Sequence, residues 1–275
     1  MHLTNQQIND FRDTVWQYYR QAARAMPWRE KPEPYLVLVS ELMLQQTQVS
    51  RVVPKFEVFT AAFPTIQSLA AAPLNEVLRL WSGLGYNRRA KFLHQAAQMV
   101  VEQYNGIVPQ TLDDLTKLPG VGKHTAGAIL AYAFEEPVVF IETNIRTVCF
   151  YHFFPDAETV DDKELVPVIE QTLDTEHPRQ WYWALMDYGT HLKQTQGNNI
   201  NRSRHYTKQS TFEGSKRQLR GATLRMLIER TYSKVELEAT LSDSRLPAVV
   251  LGLMQEGFII ERNGRYQLAR DHHTQ

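Results

Sequence analysis

The chain has 275 residues, 43% of them hydrophobic, and its 30 Lys and Arg balance 30 Asp and Glu to a formal net charge of zero. That is apolar material for one large core or two smaller ones, and the charge balance excludes a uniformly basic coat while leaving room for a local basic face. The single cysteine, Cys149, excludes a disulfide framework and any cysteine-built zinc or iron–sulfur site.

Cys149 lies in an apolar stretch and reads as a buried thiol. No run reaches the 18 apolar residues of a membrane helix, and MHLTNQQINDFRDTVWQYY has no signal-type apolar centre. A cytoplasmic chain without membrane contact is expected.

Most of residues 5–195 reads as helix. FRDTVWQYYRQAARAM spaces Phe11, Val15, Trp16, Tyr19 and Ala22 at three and four. PYLVLVSELMLQQTQVSRVVPKFEVF is apolar almost all round and reads as one buried helix. TIQSLAAAPLNEVLRLWSGLG gives two short helices broken at Pro73 and closed by Gly83 and Gly85, and NRRAKFLHQAAQMVVEQY is amphipathic up to Asn105-Gly106.

LTKLPGVGKHTAGAIL (115–130) sets Leu118-Pro119-Gly120-Val121-Gly122 between two helices. Its glycines permit a tight turn and leave backbone N–H groups open at the next helix start, where a phosphate can bind. An ordinary helix–helix turn is the alternative. Lys123 and the small face Thr125-Ala126-Ala128 favour a helix-hairpin-helix. In VVFIETNIRTV (138–148) an apolar ramp, Val138–Ile141, ends on Glu142, Thr143 and Asn144 before Ile145, Val148 and Phe150 resume the pattern.

Composition shifts near 194. Residues 196–216 are polar and basic and read as a linker or a DNA-contacting surface segment. Beyond them, QLRGATLRMLIERT, KVELEATLS and RLPAVVLGLMQEGFI read as helices, and FIIERNGRYQLA as a hairpin around Asn263-Gly264. Three helices and a hairpin over 217–275 suggest a winged helix.

The segments MPWRE, SELMLQQTQVSRVVPKFEVF, FPTIQSLAAAPLNEVLRLWSGLGYNRRAKFLHQAA, LPGVGKHTAGAIL and ALMDYGT resemble, in order, the A/G-specific adenine DNA glycosylases of the MutY type. These are helix-hairpin-helix glycosylases, with endonuclease III as a relative. The resemblance covers roughly residues 10–195. It implies a mainly α, two-lobed helix-hairpin-helix glycosylase fold over 1–195; the small C-terminal winged-helix α+β domain is read from the residues alone, outside the resemblance. The six-helix lobe spans about 30–135; the second lobe takes the N-terminal helix plus about 136–195.

The chemistry can be argued from the bond. Breaking an N-glycosidic bond to a normal purine needs a proton on the leaving base and an anion beside the oxocarbenium-like sugar. Two carboxylates in unequal environments can supply both. Glu41, flanked by apolar residues in LVLVSELMLQQ, is the candidate acid; a solvated or arginine-paired helix carboxylate is the alternative. The resemblance matches Glu41 to the family's base-protonating glutamate.

It places Glu142 where the family has an aspartate, in a pattern of the type V-D-G-N-V-x-R-V, and Asn144 on its asparagine. The acid is one methylene longer, and Thr143 stands where the family has glycine. A different turn is therefore expected, with the carboxylate displaced by about 1 Å or more, a misplacement that can cost about 100-fold in rate; a pocket rebuilt around Glu142, a different substrate and loss of activity are the alternatives.

His124 occupies the position where the endonuclease III branch carries its Schiff-base lysine, so a monofunctional glycosylase is expected. Trp28, Arg29, His124 and Asp187 are matched to the base pocket, Tyr86 to the wedge that enters the duplex, and Gln46 to the base opposite the flipped one. Leu118, Gly120, Val121, Gly122 and Lys123 form the DNA-gripping hairpin.

The resemblance also implies an iron–sulfur cluster just after ALMD-G, but THLKQTQGNNINRSRHYTKQSTFEGSKRQLRG holds no cysteine there. No cofactor is expected, apart from a monovalent cation that the hairpin could admit. Phosphate contact is assigned to Arg202, Arg204, Lys208, Lys216, Arg217 and Arg220, a solvated basic linker being the alternative. The expected partner is double-stranded DNA carrying a mispair or lesion, bound by a monomer. Adenine opposite 8-oxoguanine or guanine is the first substrate expectation. Thymine or uracil opposite guanine, or a lesion or junction binder without catalysis, are the alternatives.

Overall fold

The computed structural model describes residues 1–206 and 211–269; Lys208 lies outside them. In chain order the helices are α1 (Asn5–Ala22), α2 (Pro27–Glu30), α3 (Pro34–Leu44), α4 (Val49–Ala62), α5 (Ile66–Ala71), α6 (Leu74–Trp81), α7 (Arg88–Gln103), α8 (Leu112–Lys117), α9 (Lys123–Phe134), α10 (Thr143–Phe153), α11 (Asp162–Thr172) and α12 (Pro178–Thr195). A 3-10 turn (Ile200–Arg202) follows, then α13 (Lys216–Glu229), β1 (Tyr232–Ser233), α14 (Lys234–Leu241), α15 (Leu246–Gln255), β2 (Ile259–Arg262) and β3 (Arg265–Leu268).

These elements form two compact units. The first holds Met1–Glu41, Val108–Lys117 and the described residues from Val121 to Tyr206. The second holds Leu42–Ile107, Leu118–Gly120 and the described residues after 210. Each unit buries its own apolar faces. In the first, Phe11 and Val15 on α1 are covered, and Phe11 meets Trp181 of α12 edge-on at 5.9 Å. Segment 200–204 is built into this unit and is no loose linker. Val160 donates to the Arg202 carbonyl at 2.9 Å, and Arg204 N–H donates back to the Val160 carbonyl at 3.2 Å.

In the second unit the stretch expected to be one helix is two, α3 and α4, with Gln46 between them at φ 55°. The cause is Arg89, buried at 7% exposure. Its guanidinium donates to the carbonyls of Leu42, Met43, Gln45 and Gly85 and to the Thr47 hydroxyl. The last carbonyls of a helix have no partner within it, and here one side chain satisfies them. Burial lowers the Arg89 pKa to about 10, so it stays charged at neutral pH.

The C-terminal elements belong to this second unit, whereas composition suggested a separate domain over 217–275. They form a three-stranded antiparallel sheet in the order β1-β3-β2, with α13, α14 and α15 packed around it. The expected hairpin is present: Arg262 pairs with Arg265 across Asn263 and Gly264, both at positive φ, a two-residue turn whose twist suits paired strands. Glu256, at the end of α15, accepts from Arg220 of α13 and Arg88 of α7. Lys91 of α7 donates to the Gly257 carbonyl at 3.0 Å.

Replacing Arg89 by Ala should leave several buried carbonyls unpaired and lower the unfolding free energy by about 3–5 kcal/mol. Arg89→Lys, with fewer donors, should recover only part of that. Denaturant unfolding measures both, and a wild-type midpoint in either variant would refute this role.

Candidate active site

The first unit places Glu142 through the segment that precedes it. Val138–Ile141 runs extended between α9 and α12. Tyr182 of α12 donates to the Val138 carbonyl at 2.7 Å, and the Phe140 ring lies 4.2 Å from that of Tyr182 and 6.0 Å from that of Tyr132. Two glycines make room for it. A methyl carbon at Gly127 of α9 would lie 2.6 Å from Phe140 Cβ, and one at Gly189 of α12 would lie 2.5 Å from the Asn144 carbonyl oxygen. Both contacts are closer than side chains tolerate.

Glu142 then stands at the N-cap of α10 with extended backbone, and its side chain makes no capping hydrogen bond. Thr143 is the first helical residue and is not among the positive-φ positions. Thr143 thus takes an N1 position, which accepts a β-branched residue without left-handed strain.

Glu41 of α3 is buried at 8% exposure. Burial first, and then the Glu142 charge, hold its carboxyl well above the ordinary value. Glu142 is also raised by burial, but Arg146 and Lys193 pull it back. The two carboxyls thus sit within electrostatic reach of each other in unequal surroundings, and Tyr132, pushed up mainly by its own burial, senses both. Arg146 is itself bidentate to Asp162, at 2.8 and 2.6 Å.

Asn144 joins this group. Its Oδ1 accepts from Lys193 Nζ at 2.6 Å, and its amide nitrogen lies 3.9 Å from Met186 Sδ. His124, on the first turn of α9, accepts from the Ile141 N–H through Nδ1 at 3.4 Å. Burial and then Arg146 lower its pKa, which keeps the accepting, neutral form.

Three expected pocket residues have other duties. Asp187, 1% exposed, accepts from Arg24 N–H at 3.0 Å, Arg24 Nε at 2.6 Å and both Arg29 terminal nitrogens at 2.8 and 2.9 Å. Arg29 and Asp187 therefore neutralise each other in a buried network joining α2 to α12, and these atoms are not open to a base. Trp28 is covered at 6% exposure and packs as core.

Among the expected DNA contacts, Leu118 and Val121 are buried at 2% and 5%, so their side chains anchor the turn and only their backbone can face a ligand. Gly120, at φ 80°, needs to be glycine: an added Cβ would lie 2.9 Å from Phe92 Cβ. Gly122, the N-cap of α9, faces open space, and Lys123 is exposed. Gln46 is exposed at a positive φ.

Tyr86 is half-buried at φ 48°, a sparse conformation for a bulky residue. The Arg89 and Arg217 guanidinium carbons lie 5.4 and 5.5 Å from its ring centre, and Arg217 donates to its hydroxyl. Arg202 is committed internally, donating to the carbonyls of Phe154 and Ala157, so it holds the 154–157 turn rather than presenting a free charge. Arg204 is exposed, 3.8 Å from Asp161.

Sequence reasoning missed Lys193. Its cue was weak: Met186, Gly189 and Lys193 lie three and four apart, one stripe of α12, but nothing in the sequence says that the stripe meets Asn144.

The resemblance to helix-hairpin-helix glycosylases raises the question of an iron–sulfur cluster, which these residues do not fit. The one cysteine, Cys149, is buried in α10 with its thiol pushed up to about 12, and among the described residues no three His, Cys, Asp or Glu side chains converge. Among those residues no helix is long and apolar enough to cross a membrane.

Residues 39–167 match the HhH-GPD superfamily of base excision DNA repair proteins. The chain is similar to the adenine DNA glycosylase of Buchnera aphidicola subsp. Baizongia pistaciae, with 38% identity over 181 residues, 65% of this chain and 52% of that protein. The chain thus spans about half the length of that relative. A thermostable thymine-DNA glycosylase superposes with a TM-score of 0.62 at 25% identity, covering 67% of this chain and 87% of its own. An endonuclease III trapped as a covalent intermediate with DNA shares the fold, with a TM-score of 0.58 at 23% identity over 69% of this chain and 88% of its own.

The raised Glu41 carboxyl has a stability signature. In the folded chain it keeps its proton at pH values where the unfolded carboxyl, near 4.5, has lost it. Its contribution is fully present below that value and is lost as pH rises toward the folded value. Glu41→Gln should therefore raise the Tm by about 3 °C at pH 7.5 and leave it unchanged at pH 4. A lower Tm at both pH values would contradict the assignment. Gly189→Ala should drive a methyl into the Asn144 backbone and cost about 1–3 kcal/mol in denaturant unfolding; an unchanged midpoint would show that the close approach relaxes freely.

Proposed function

We propose that the protein is a monofunctional DNA glycosylase of base excision repair, hydrolysing the N-glycosidic bond of a flipped mispaired base, first adenine opposite 8-oxoguanine or guanine. The observation that carries this reading is the carboxyl pair. Glu41 is pushed toward the protonated form from two sides, while Arg146 and Lys193 draw Glu142 toward the ionised form. Glu41 donates its proton to the departing purine and Glu142 faces the positive charge that develops on the sugar. Water attacks the sugar carbon, and its proton leaves to solvent or to a carboxylate. The sequence likeness to adenine DNA glycosylases supports adenine as the base.

His124 stands where a lysine would be needed for Schiff-base chemistry, and an imidazole does not form that adduct. The turn Leu118–Gly122 grips the DNA backbone through its N–H groups, and Tyr86 fills the gap left by the flipped base. Double-stranded DNA with a mispair or lesion is the partner, bound by a monomer. The likeness to a thymine-DNA glycosylase structure supports a second reading, thymine or uracil opposite guanine.

Duplexes carrying single mispairs and lesions, treated with alkali to reveal abasic sites, test the assignment. Adenine release opposite 8-oxoguanine or guanine is expected, with Glu41→Gln and Glu142→Gln each slower by about 10²–10⁴-fold. Release of thymine or uracil alone would establish the second reading. Binding without release of any base would leave a lesion-binding protein, and strand cleavage without alkali would overturn the monofunctional assignment.

A further inference from the structure

Glu142 is a half-buried carboxyl that its own helix does not satisfy, since its side chain makes no capping hydrogen bond at the start of α10. An ionised group in that position needs a cation. Two act on it, Arg146 and Lys193. Arg146 is engaged with Asp162 through both ends of its fork. Lys193 instead hydrogen-bonds a neutral amide, Asn144 Oδ1, at 2.6 Å. Among the described residues its charge meets no carboxylate in contact, so its field falls on Glu142.

We infer that Lys193 is a positioning residue of the glycosylase site: its ammonium fixes Asn144 and keeps Glu142 ionised beside the sugar. The inference rests on the reading of Glu142 as the anion that faces the sugar.

The surrounding charges are consistent with this. At the start of α10, Glu142 and Asn144 face the stripe of α12 that carries Lys193. Asp162 of α11 pairs Arg146, and His124 of α9 senses both Arg146 and Asp162. On α12 itself, His191 lies 4.9 Å from the Tyr18 ring of α1. Burial pulls Lys193 down to about 8 while Glu142 pulls it back up. It is therefore charged through neutral pH and begins to lose its charge above that value. The geometry separates two jobs that a purely structural lysine would not have, since the hydrogen bond to Asn144 needs only a donor, whereas the effect on Glu142 needs a charge.

Single-turnover base release across pH, on the best duplex for wild type, tests the inference with Lys193→Met, Lys193→Gln and Lys193→Arg. Without the charge, Glu142 should hold its proton to higher pH. The neutral variants should then lose about tenfold more rate at pH 5.5 than at pH 8, and Lys193→Arg should restore the acid limb. An equal loss at both pH values would reduce Lys193 to packing and overturn the proposal. If Lys193→Met fails a thermal-melt check, Lys193→Gln, which keeps a donor, carries the comparison.

A wild type that releases no base would sink the glycosylase reading alone. Carbon-13 titration of labelled glutamates, with the Glu142 signal identified by Glu142→Gln, then decides the electrostatic claim. Its midpoint must rise in the neutral variants, and an unmoved midpoint would overturn it.

Discussion

The close approach of one extended segment to two helices governs this protein's chemistry. Phe140 passes Gly127 and Asn144 passes Gly189 at distances that no side chain would permit. Those two contacts bring the start of α10 against α12 and place the half-buried Glu142 where Lys193 and Arg146 can act on it. A methyl group at either glycine would push the segment outward, and the carboxylate with it. The small residues are therefore part of the site although neither touches a substrate.

Burial sets the electrostatics that follow. Glu41 and Glu142 are both driven upward by desolvation, but only Glu142 has cations to offset it. One acid is biased to hold a proton and the other to release it, which is how two chemically alike groups take opposite roles. Such an arrangement opposes stability, because a buried carboxyl near a second one disfavours the fold as pH rises. The neighbouring Arg24–Arg29–Asp187 network is the contrasting case. There every lone pair of a buried carboxylate is met, so the group holds α2 to α12 and has no capacity left for a ligand.

In the second unit one arginine has a comparable organising effect. Arg89 ends α3 by taking its last carbonyls and reaches the Gly85 carbonyl beside Tyr86. Arg217, on the first turn of α13, reaches the hydroxyl of the same tyrosine. The candidate wedge is thus flanked by two guanidinium groups, one of them from the C-terminal elements. Those elements do more than cap the chain: Glu256 and Gly257 are tied to α7 by Arg88 and Lys91.

Much of this was legible in the chain itself. The helix breaks at Pro73 and at Asn105-Gly106, the two-residue hairpin turn and the Leu118–Gly122 turn follow from local backbone chemistry, which adjacent residues decide. Glu41 was legible as a perturbed carboxyl because its apolar flanks ensure burial in almost any packing. The division of α3 from α4 was not, because the group that ends α3 lies about 45 residues away along the chain in Arg89. Nor was the pairing of Arg29 with Asp187, the internal use of Arg202, or the part taken by Lys193. The sequence determined which groups could be acid, anion and turn. Only the tertiary structure decided which charges are spent on one another and which remain to act, because electrostatic pairing depends on distances between helices that no local pattern encodes.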